Sequence, residues 1–390
     1  MDIEPFPDLL RRFSFNGAPT QHVRSEGIDY FVNEYWTAAQ RQAHRLHEIS
    51  YRACFKPALP EFFIDRLTQP GDRVYDPFSG RGTTALQAGL SRRGPVANDI
   101  NPLSAMLVAP RLIPMTLDQI AHRLSIIPID DHACPDDPLT VFFHRDTLSR
   151  IRALRAWLLS RDPDPVDRWI RMVALNRLTG HSPGFFSVYT LPPNQAASLT
   201  AQRKINEKRG QTPSFRDVDA LILKKSRILL SDGPPPEHPE PLLLTGSAAD
   251  TPMLADASID LVVTSPPFLD IVDYEGDNWL RCWFAGIDPA CVTIARHPGL
   301  AAWERFVRDV FNELARVTRP GAMVAFEVGE VRGGKILLER TVIAALQGLP
   351  FAVAGVMINQ QNFTKTAHCW GVGNNAAGTN SNRIVLARRL

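Results

Sequence analysis

The feature that most constrains the fold is a strand, a glycine turn, a helix and a second strand in direct succession. The stretch "RVYDPFSGRGTTALQAGLSRRG" supplies the first strand, the turn and the helix, and "PVANDINPLSAMLVAPRL" begins with the second strand. Such a succession is typical of an α/β sheet with parallel strands. Strand and helix patterns alternate again from about residue 241. The sequence therefore predicts one mostly parallel sheet flanked by helices.

The stretch between these two parts has a different character. Segments such as "DTLSRIRALRAWLLSR" and "FRDVDALILKKSRILL" have helical periodicity, and "SDGPPPEHPEP" is too proline-rich for a helix or a central strand. We predict an α/β domain formed by residues 51–111 and 241–390, interrupted by a mainly helical insertion at 112–240. Residues 1–50 are predicted to form an N-terminal extension, irregular at first and then helical over "YFVNEYWTAAQRQAHRLHEIS".

The glycine turn is a candidate ligand site. Gly80 and Gly82 follow a strand and precede a helix, where the backbone can approach a ligand without a Cβ in the way. A tight turn without a ligand is an equally good interpretation, and no G-K-[ST] follows, which excludes a phosphate loop. Asp76 precedes the turn and suits an ammonium group better than a pyrophosphate, which favours S-adenosylmethionine. Asp99, at the end of the next strand, is a candidate for the ribose hydroxyls.

A second candidate site is the turn "TSPPF", which ends the apolar stretch "IDLVV". Proline cannot donate to a sheet, so the strand must stop here, at the edge where open α/β sheets bind their ligands. The rigid carbonyls and the Ser265 hydroxyl can accept hydrogen bonds from an NH₂ group, and Phe268 can stack on a planar base. A rigid strand-end turn with Phe268 in the core is the alternative.

The pair "DPFSGRGTT" (76–84) and "TSPPF" (264–268) resembles the amino-group DNA methyltransferases, which act on N4 of cytosine or N6 of adenine. The resemblance extends to "YRACFKPALPEFFIDRLTQPGDRV", where an aromatic segment precedes the glycine strand by a helix. It implies a Rossmann-like class I methyltransferase fold with S-adenosylmethionine as cofactor. It also implies that Ser265, Pro266, Pro267 and Phe268 are catalytic, and that the cofactor contacts Phe55, Lys56, Asp76, Pro77, Phe78, Ser79, Gly80, Gly82, Thr83, Asp99, Ser247 and Asp250.

A leading serine with two prolines is more typical of the cytosine-N4 enzymes of this family. The resemblance therefore implies direct methyl transfer to N4 of cytosine in DNA, with base flipping. Adenine-N6 methylation and methylation of an RNA amine remain the nearest alternatives. A nicotinamide oxidoreductase or a catalytically silent DNA-binding protein would leave one of the two motifs unexplained. The long insertion precedes "TGSAAD", whereas the matching family order carries its recognition segment after that turn.

Two polar segments are candidates for contact with nucleic acid. The first is "AQRKINEKRGQTPSFRDVDALILKKSR" in the insertion, which is rich in Arg and Lys. The second is the tail "NQQNFTKTAHCWGVGNNAAGTNSNR", whose amides suit base edges as well as turns. A solvated helix face and an ordinary loop are the respective alternatives. The residues predicted to contact nucleic acid are Arg203, Lys204, Lys208, Arg209, Lys365, Asn375 and Arg383.

Composition narrows the remaining classes. The five cysteines form no C-x-x-C pair and the ten histidines no ligand-spaced cluster, so we expect reduced thiols and no metal. There is no long apolar run, and the start is acidic and proline-broken, which argues against a membrane span or signal peptide. A net charge of +2 neither requires nor excludes a polyanionic partner. We expect a cytoplasmic, nucleoid-associated protein with DNA as its partner and a cognate restriction nuclease as a further candidate.

Overall fold

A nine-stranded sheet forms the centre of the part of the chain that the computed structural model describes. The described residues are 6–36, 43–52, 54–128, 137–267, 274–288, 292, 299–331, 336–360 and 381–390. Short pairs, β1 with β2 and β10 with β11, lie outside this sheet. The strands are β1 (Ser14–Phe15), β2 (Ala18–Pro19), β3 (Gln21–Ser25), β4 (Ile28–Asn33), β5 (Arg73–Asp76), β6 (Gly94–Asp99), β7 (Leu242–Thr245), β8 (Ile259–Thr264), β9 (Thr318–Val328), β10 (Glu330–Val331), β11 (Ile336–Leu337), β12 (Phe351–Gln360) and β13 (Ser381–Arg389).

The sheet order is β3-β4-β12-β13-β9-β8-β5-β6-β7. Only β3 and β13 run against the other strands of this sheet. This arrangement confirms the predicted α/β fold with a mostly parallel sheet. Because β5, β6, β7, β8 and β9 are mutually parallel, their carboxyl ends meet at one edge, which we call the carboxyl edge. Both predicted motifs follow strands that end there.

Twelve α-helices surround the sheet in the described residues, and no described helix has the length and apolar character needed to cross a bilayer. The amphipathic α11 packs Trp303, Val307 and Phe311 on one face of the sheet. The helices are α1 (Phe6–Arg12), α2 (Ala58–Leu67), α3 (Thr83–Leu90), α4 (Leu103–Leu112), α5 (Leu117–Ile126), α6 (Arg145–Leu159), α7 (Pro165–Leu175), α8 (Leu199–Arg209), α9 (Val218–Leu229), α10 (Tyr274–Ala285), α11 (Leu300–Val317) and α12 (Leu338–Ala345).

The prediction of a helix beginning at Tyr30 is wrong. Residues Ile28–Asn33 form β4, which pairs with β3 in a hairpin and runs parallel to β12, with Tyr30 opposite Val356. The aromatic residues of this stretch also fit a helical spacing. Pairing with a strand more than three hundred residues later decides in favour of a strand, and no local pattern reveals that partner.

The described part of the predicted insertion, residues 112–128 and 137–240, contains the helices α5 to α9, one 3₁₀ turn and loops, including a long one at 176–198. Its buried residues, among them Trp169 and Ile170, share one hydrophobic cluster with Leu86 of α3 and Leu107 of α4. A shared core fixes the insertion against the sheet's own helices. The exact division of the chain into domains stays a prediction.

Candidate active site

A cavity of about 360 Å³ opens at the carboxyl edge of the sheet, where β5, β6 and β8 end. It brings together the two motifs that the sequence analysis singled out. The predicted residues that line it are Phe55, Pro77, Phe78, Ser79, Gly80, Thr83, Asp99, Ser247, Ser265, Pro266 and Pro267. Residues that the sequence analysis did not single out also line it: Tyr51, Arg52, Cys54, Ile100, Asn101, Gly246, Ala248 and Phe306.

The two glycines of the turn serve different purposes. Gly80 has φ +52 and a Cβ there would be 3.5 Å from the Tyr51 ring, in ordinary contact at the cavity wall. Gly82 has φ +75, and a Cβ there would be 2.1 Å from Cγ2 of Val108 in α4. Gly82 therefore permits close packing of two helices, and it does not line the cavity. The turn is closed by the Gly82 amide, which donates to the Ser79 carbonyl at 2.6 Å.

Asp99 holds the glycine turn and its own loop in place. Its carboxylate accepts hydrogen bonds from the amides of Gly80 at 2.7 Å and Asn101 at 2.9 Å. Burial raises the pKa of Asp99, while these two amide hydrogen bonds oppose that shift. The neighbouring Asn98 donates to the carbonyl of Gly246 at 3.0 Å, which fastens the loop after β7 to the same edge. The three loops that wall the cavity are thus joined by hydrogen bonds.

Asp76 lies beneath the turn and does not line the cavity. Its carboxylate is 1 % exposed and accepts hydrogen bonds from the Thr264 hydroxyl at 2.5 Å and the Phe78 amide at 3.1 Å. Burial raises the pKa of Asp76 to about 7. Because this carboxylate is not part of the cavity wall, it is not placed for the predicted direct contact with an ammonium group. Asp76 instead connects the glycine turn to the strand that carries Ser265.

Ser79 gives the cavity an available polar group. Its hydroxyl is buried, lines the cavity and has no hydrogen-bond partner among the described residues. A buried polar atom without a partner costs free energy unless a ligand satisfies it. Together with the turn at Gly80 and the half-buried Asp99, this hydroxyl fits a ligand with several polar groups, as S-adenosylmethionine has.

The Ser-Pro-Pro turn presents Ser265, Pro266 and Pro267 to the cavity, while Phe268 lies outside the described residues. The Pro267 carbonyl accepts a hydrogen bond from Nε1 of Trp303 at 2.9 Å. The Ser265 hydroxyl is hydrogen-bonded to the carboxyl of Glu327, at the end of β9. Both ends of the turn are therefore held by neighbouring elements.

Glu327 is a residue of the site that was not predicted from the sequence. It is 8 % exposed, and burial raises the pKa of its carboxyl. The signal was a single charged residue inside the otherwise apolar run "MVAFEV". A buried carboxyl on a strand needs a hydrogen-bond partner, but the sequence alone does not identify that partner.

The segment before α2 forms one wall of the cavity. Arg81, in the glycine turn, donates to the carbonyls of Ile49 at 3.0 Å and Phe55 at 3.3 Å. Arg52 lines the cavity and pairs with the buried Asp277 of α10 at 2.7 Å. These contacts hold the aromatic segment before α2 against the glycine turn and α10, and so make it part of the site.

Besides Asp76 and Gly82, two further residues predicted to contact the cofactor, Lys56 and Asp250, do not line this cavity. Lys56 lines a separate hollow, together with His44 and Glu61. Asp250 is exposed, although Ser247 of the same loop lines the cavity. The Ser247 hydroxyl accepts a hydrogen bond from the Ala249 amide at 3.2 Å and so closes that loop.

The predicted nucleic-acid residues fall into three groups. Those on α8 and its end, Arg203, Lys204, Lys208 and Arg209, are exposed, and Arg209 stacks on the ring of Tyr189 at 3.8 Å. Arg383 instead pairs with the fully buried Glu339, which gives it a structural contact. Lys365 and Asn375 lie outside the described residues.

One loop of the insertion reaches the wall of the cavity. The buried Arg281 of α10 donates to the carbonyls of Pro193, at 2.6 Å, and Ser50, next to the cavity residue Tyr51. Trp279 donates from Nε1 to the Ala197 carbonyl at 3.1 Å. Trp279 and Trp283 both pack against the main hydrophobic cluster.

No set of three potential metal ligands is found among the described residues. The two cysteines that the structure describes, Cys54 and Cys282, are free thiols, and burial raises the pKa of both.

Residues 11–102 match the family model N6_N4_Mtase, described as DNA methylase. The matched stretch includes the glycine turn and the segment before α2. This part of the chain is similar to the amino-group DNA methyltransferase family. The cofactor that this match supports is S-adenosylmethionine. The match does not distinguish N4 from N6 specificity.

Solved structures are similar only at a low level. TrmN from Thermus thermophilus is 12% identical with a TM-score of 0.35, over 89% of this chain and 52% of that chain, so the match spans about half of TrmN. The rRNA methyltransferase aviRa from Streptomyces viridochromogenes is 15% identical with a TM-score of 0.34, over 88% and 89% of the two chains. A methyltransferase from Methanosarcina mazei, described as SAM-dependent, is 10% identical with a TM-score of 0.33, over 84% and 97%. No curated protein matches the chain.

Proposed function

We propose that this methyltransferase transfers a methyl group from S-adenosylmethionine to the exocyclic N4 amine of cytosine in DNA. The observation that carries the proposal is the shared cavity, which is lined by the glycine turn on one side and by Ser265, Pro266 and Pro267 on the other. A cofactor and an amine held in that one cavity would be close enough for direct transfer.

The cofactor would lie along the carboxyl ends of β5, β6 and β7. The turn at Ser79 and Gly80 would take its amino-acid end, Asp99 its ribose hydroxyls, and the loop at Ser247 its adenine. When bound, S-adenosylmethionine supplies a methyl group activated by its sulfonium charge. Gly82 and Asp76 would act indirectly, because one permits the helix packing and the other fixes the turn.

Ser265 and Pro266 would hold the target amine. A hydroxyl oxygen and a rigid carbonyl both accept hydrogen bonds, and accepting two from one NH₂ group fixes the direction of the nitrogen lone pair. Proline keeps the carbonyls of the turn from relaxing away. No cysteine stands in this turn, so a covalent attack on a ring carbon has no nucleophile here. A serine in place of aspartate or asparagine is the feature that favours cytosine over adenine.

A base paired in a duplex cannot reach this cavity, so we propose that the target base is flipped out of the helix. The insertion loop that contacts Arg281 stands next to the cavity wall, and α8 presents exposed cations on the insertion. These cations suit phosphate contacts, which would position the duplex without specifying its sequence. A cognate restriction nuclease stays a prediction.

Product analysis tests the proposal directly. The protein is incubated with labelled S-adenosylmethionine and unmethylated amplified DNA, or with RNA transcribed from the same template, and the digested nucleosides are separated. N4-methylcytosine in DNA is the expected product, and Ser265→Ala should give little of it while still binding the cofactor. Label in N6-methyladenine would transfer the proposal to the adenine-N6 class, which the family also contains. Label in RNA alone would contradict DNA as the substrate, and no transfer to either would contradict the proposed function.

A further inference from the structure

A row of four polar side chains crosses the carboxyl edge of the sheet from the active site towards the N-terminal hairpin. Ser265, Glu327, Asn382 and Asn359 belong to or directly follow four adjacent strands, β8, β9, β13 and β12. Side chains two positions apart on a strand point to the same face, so all four lie on one face. We call them the polar row. The residue two positions from each member belongs to one buried cluster: Val263, Ala325, Ile384 and Met357.

Hydrogen bonds connect the row from end to end. Asn359 accepts the backbone amide of Tyr35 at 2.7 Å and donates to Oδ1 of Asn382 at 3.5 Å. Asn382 donates from Nδ2 to Oε1 of Glu327 at 3.0 Å, and Glu327 is hydrogen-bonded to the hydroxyl of Ser265. Asn359 is fully buried and Glu327 nearly so, which makes each of these contacts costly to leave unmade.

The direction of every hydrogen bond in the polar row follows from the contact at its end, between Asn359 and the Tyr35 amide. A backbone N–H can only donate, so Asn359 must turn its oxygen to Tyr35 and its NH₂ group to Asn382. Asn382 must then accept with its oxygen and donate to Glu327. An ionised carboxylate only accepts, so the Ser265 hydroxyl donates to it. The lone pairs of Ser265 are thereby left for a group in the cavity.

From this arrangement we propose that Glu327 is a positioning residue, which orients the Ser265 hydroxyl and receives its proton during methyl transfer. The inference rests on the proposed function. Methyl transfer leaves the target nitrogen with one proton too many. Ser265 Oγ takes up that proton and at the same time gives its own hydroxyl proton to Glu327. The proton leaves Glu327 for solvent when the product departs. Ser265 ends the cycle as a neutral hydroxyl and Glu327 as a carboxylate, so charge and atoms balance.

The chemistry of serine makes such a partner necessary. A serine hydroxyl brings no negative charge to the amine, whereas an aspartate in the same turn would. Glu327 supplies a carboxylate from the neighbouring strand. This carboxylate acts on the target amine through the Ser265 hydroxyl, which lies between them. Burial raises the pKa of Glu327 and so makes its carboxylate a stronger base than an exposed one, while the hydrogen bonds from Ser265 and Asn382 oppose that shift.

Glu327→Gln is the principal test, because glutamine keeps the shape and can still accept from Ser265 but cannot take up a proton. We expect kcat to fall about 100-fold or more with cofactor affinity unchanged within about twofold. The wild-type rate should rise with pH as Glu327 ionises, and this acidic limb should be absent from the variant. If the wild type methylates DNA and the Glu327→Gln variant has the same pH profile as the wild type, the inference is overturned. The proposed function would be left intact by that result.

Asn382→Ala provides a second readout if the glutamine variant does not fold. Loss of the donor to Glu327 removes a contact that stabilises the charged form, so the acidic limb should move to higher pH. An unshifted limb would contradict the inference. A wild-type protein that methylates neither DNA nor RNA would instead contradict the proposed function on which it rests.

Discussion

The Thr264 hydroxyl donates a 2.5 Å hydrogen bond to the buried carboxylate of Asp76, and so joins two motifs that lie 188 residues apart in the chain. Thr264 precedes the turn that carries Ser265, and Asp76 precedes the glycine turn. This buried contact, together with the pairing of β5 with β8, therefore fixes the cofactor side and the substrate side of the cavity to each other. Their relative position determines whether methyl group and amine are aligned.

Thr264→Val should destabilise the protein and misalign the site. Valine has the shape of threonine but no hydroxyl, so the Asp76 carboxylate loses a donor in a buried position. We expect the free energy of unfolding to fall by about 1–3 kcal/mol. Denaturant unfolding followed by circular dichroism measures this loss. An unchanged unfolding midpoint would show that the contact carries no stability.

Asp76 should also give the stability a specific pH dependence. Its pKa is raised by burial from 3.8 to about 7, so the folded state holds a proton that the unfolded state has released. The stability tied to this group is present below the unfolded pKa and is lost as pH rises through the folded one. Between about pH 5 and pH 8, the wild type should lose more unfolding free energy than Asp76→Asn. The exposed Asp65→Asn serves as the control and should follow the wild type.

Gly82→Ala tests whether this glycine serves packing. A Cβ would meet Val108 at 2.1 Å in a left-handed backbone conformation, so we expect a loss of about 2–5 kcal/mol from overpacking and strain. In a Val108→Ala background the same change should cost less, because the crowding is relieved. Equal costs in both backgrounds would contradict the packing explanation.

Gly80→Ala is the matched variant at the cavity wall. Its Cβ would lie 3.5 Å from the Tyr51 ring, so the stability loss should be smaller than at Gly82 and should come from the positive φ alone. Because the new methyl group enters the cofactor cavity, affinity for S-adenosylmethionine should fall, as measured by calorimetry. A Gly80 variant with full affinity would exclude a close backbone approach to the cofactor.

Ser265→Ala should separate catalysis from cofactor binding. The change removes an acceptor for the target amine but leaves the glycine turn untouched, so kcat should fall far more than cofactor affinity. Turnover and calorimetric titration on the same preparation give both quantities. Equal losses would show that Ser265 acts on the cofactor rather than on the substrate.

Arg203→Gln should weaken DNA binding to all sequences alike. Its exposed guanidinium is proposed to contact a phosphate, so the slope of log affinity against log salt should decrease by about 1. Arg24→Gln, on the far edge strand β3, is the control and should leave the slope unchanged. If both variants behave alike, the basic surface of the insertion does not contact DNA.

Local patterns predicted the sheet and both motifs because the information is local there. The alternation around β5, α3 and β6 and the two prolines after β8 each lie within a few neighbouring residues. The same reasoning failed for β4, whose partner β12 is remote in sequence, and for Glu327, whose role depends on Ser265 in the adjacent strand. The sequence also did not indicate that Gly82, predicted to contact the ligand, would pack directly against Val108.

The N-terminal hairpin has a consequence for solubility. It covers the outer edge of β12, a ten-residue strand, through pairing between Val356 and Asn359, and leaves β3 as the outermost strand. β3 is five residues long and exposes Gln21, His22 and Arg24, which makes it a poor template for pairing with another chain. A chain shortened to begin after Asn33 would uncover the longer strand, and we expect it to self-associate edge to edge. We therefore expect the hairpin to protect the central sheet from aggregation.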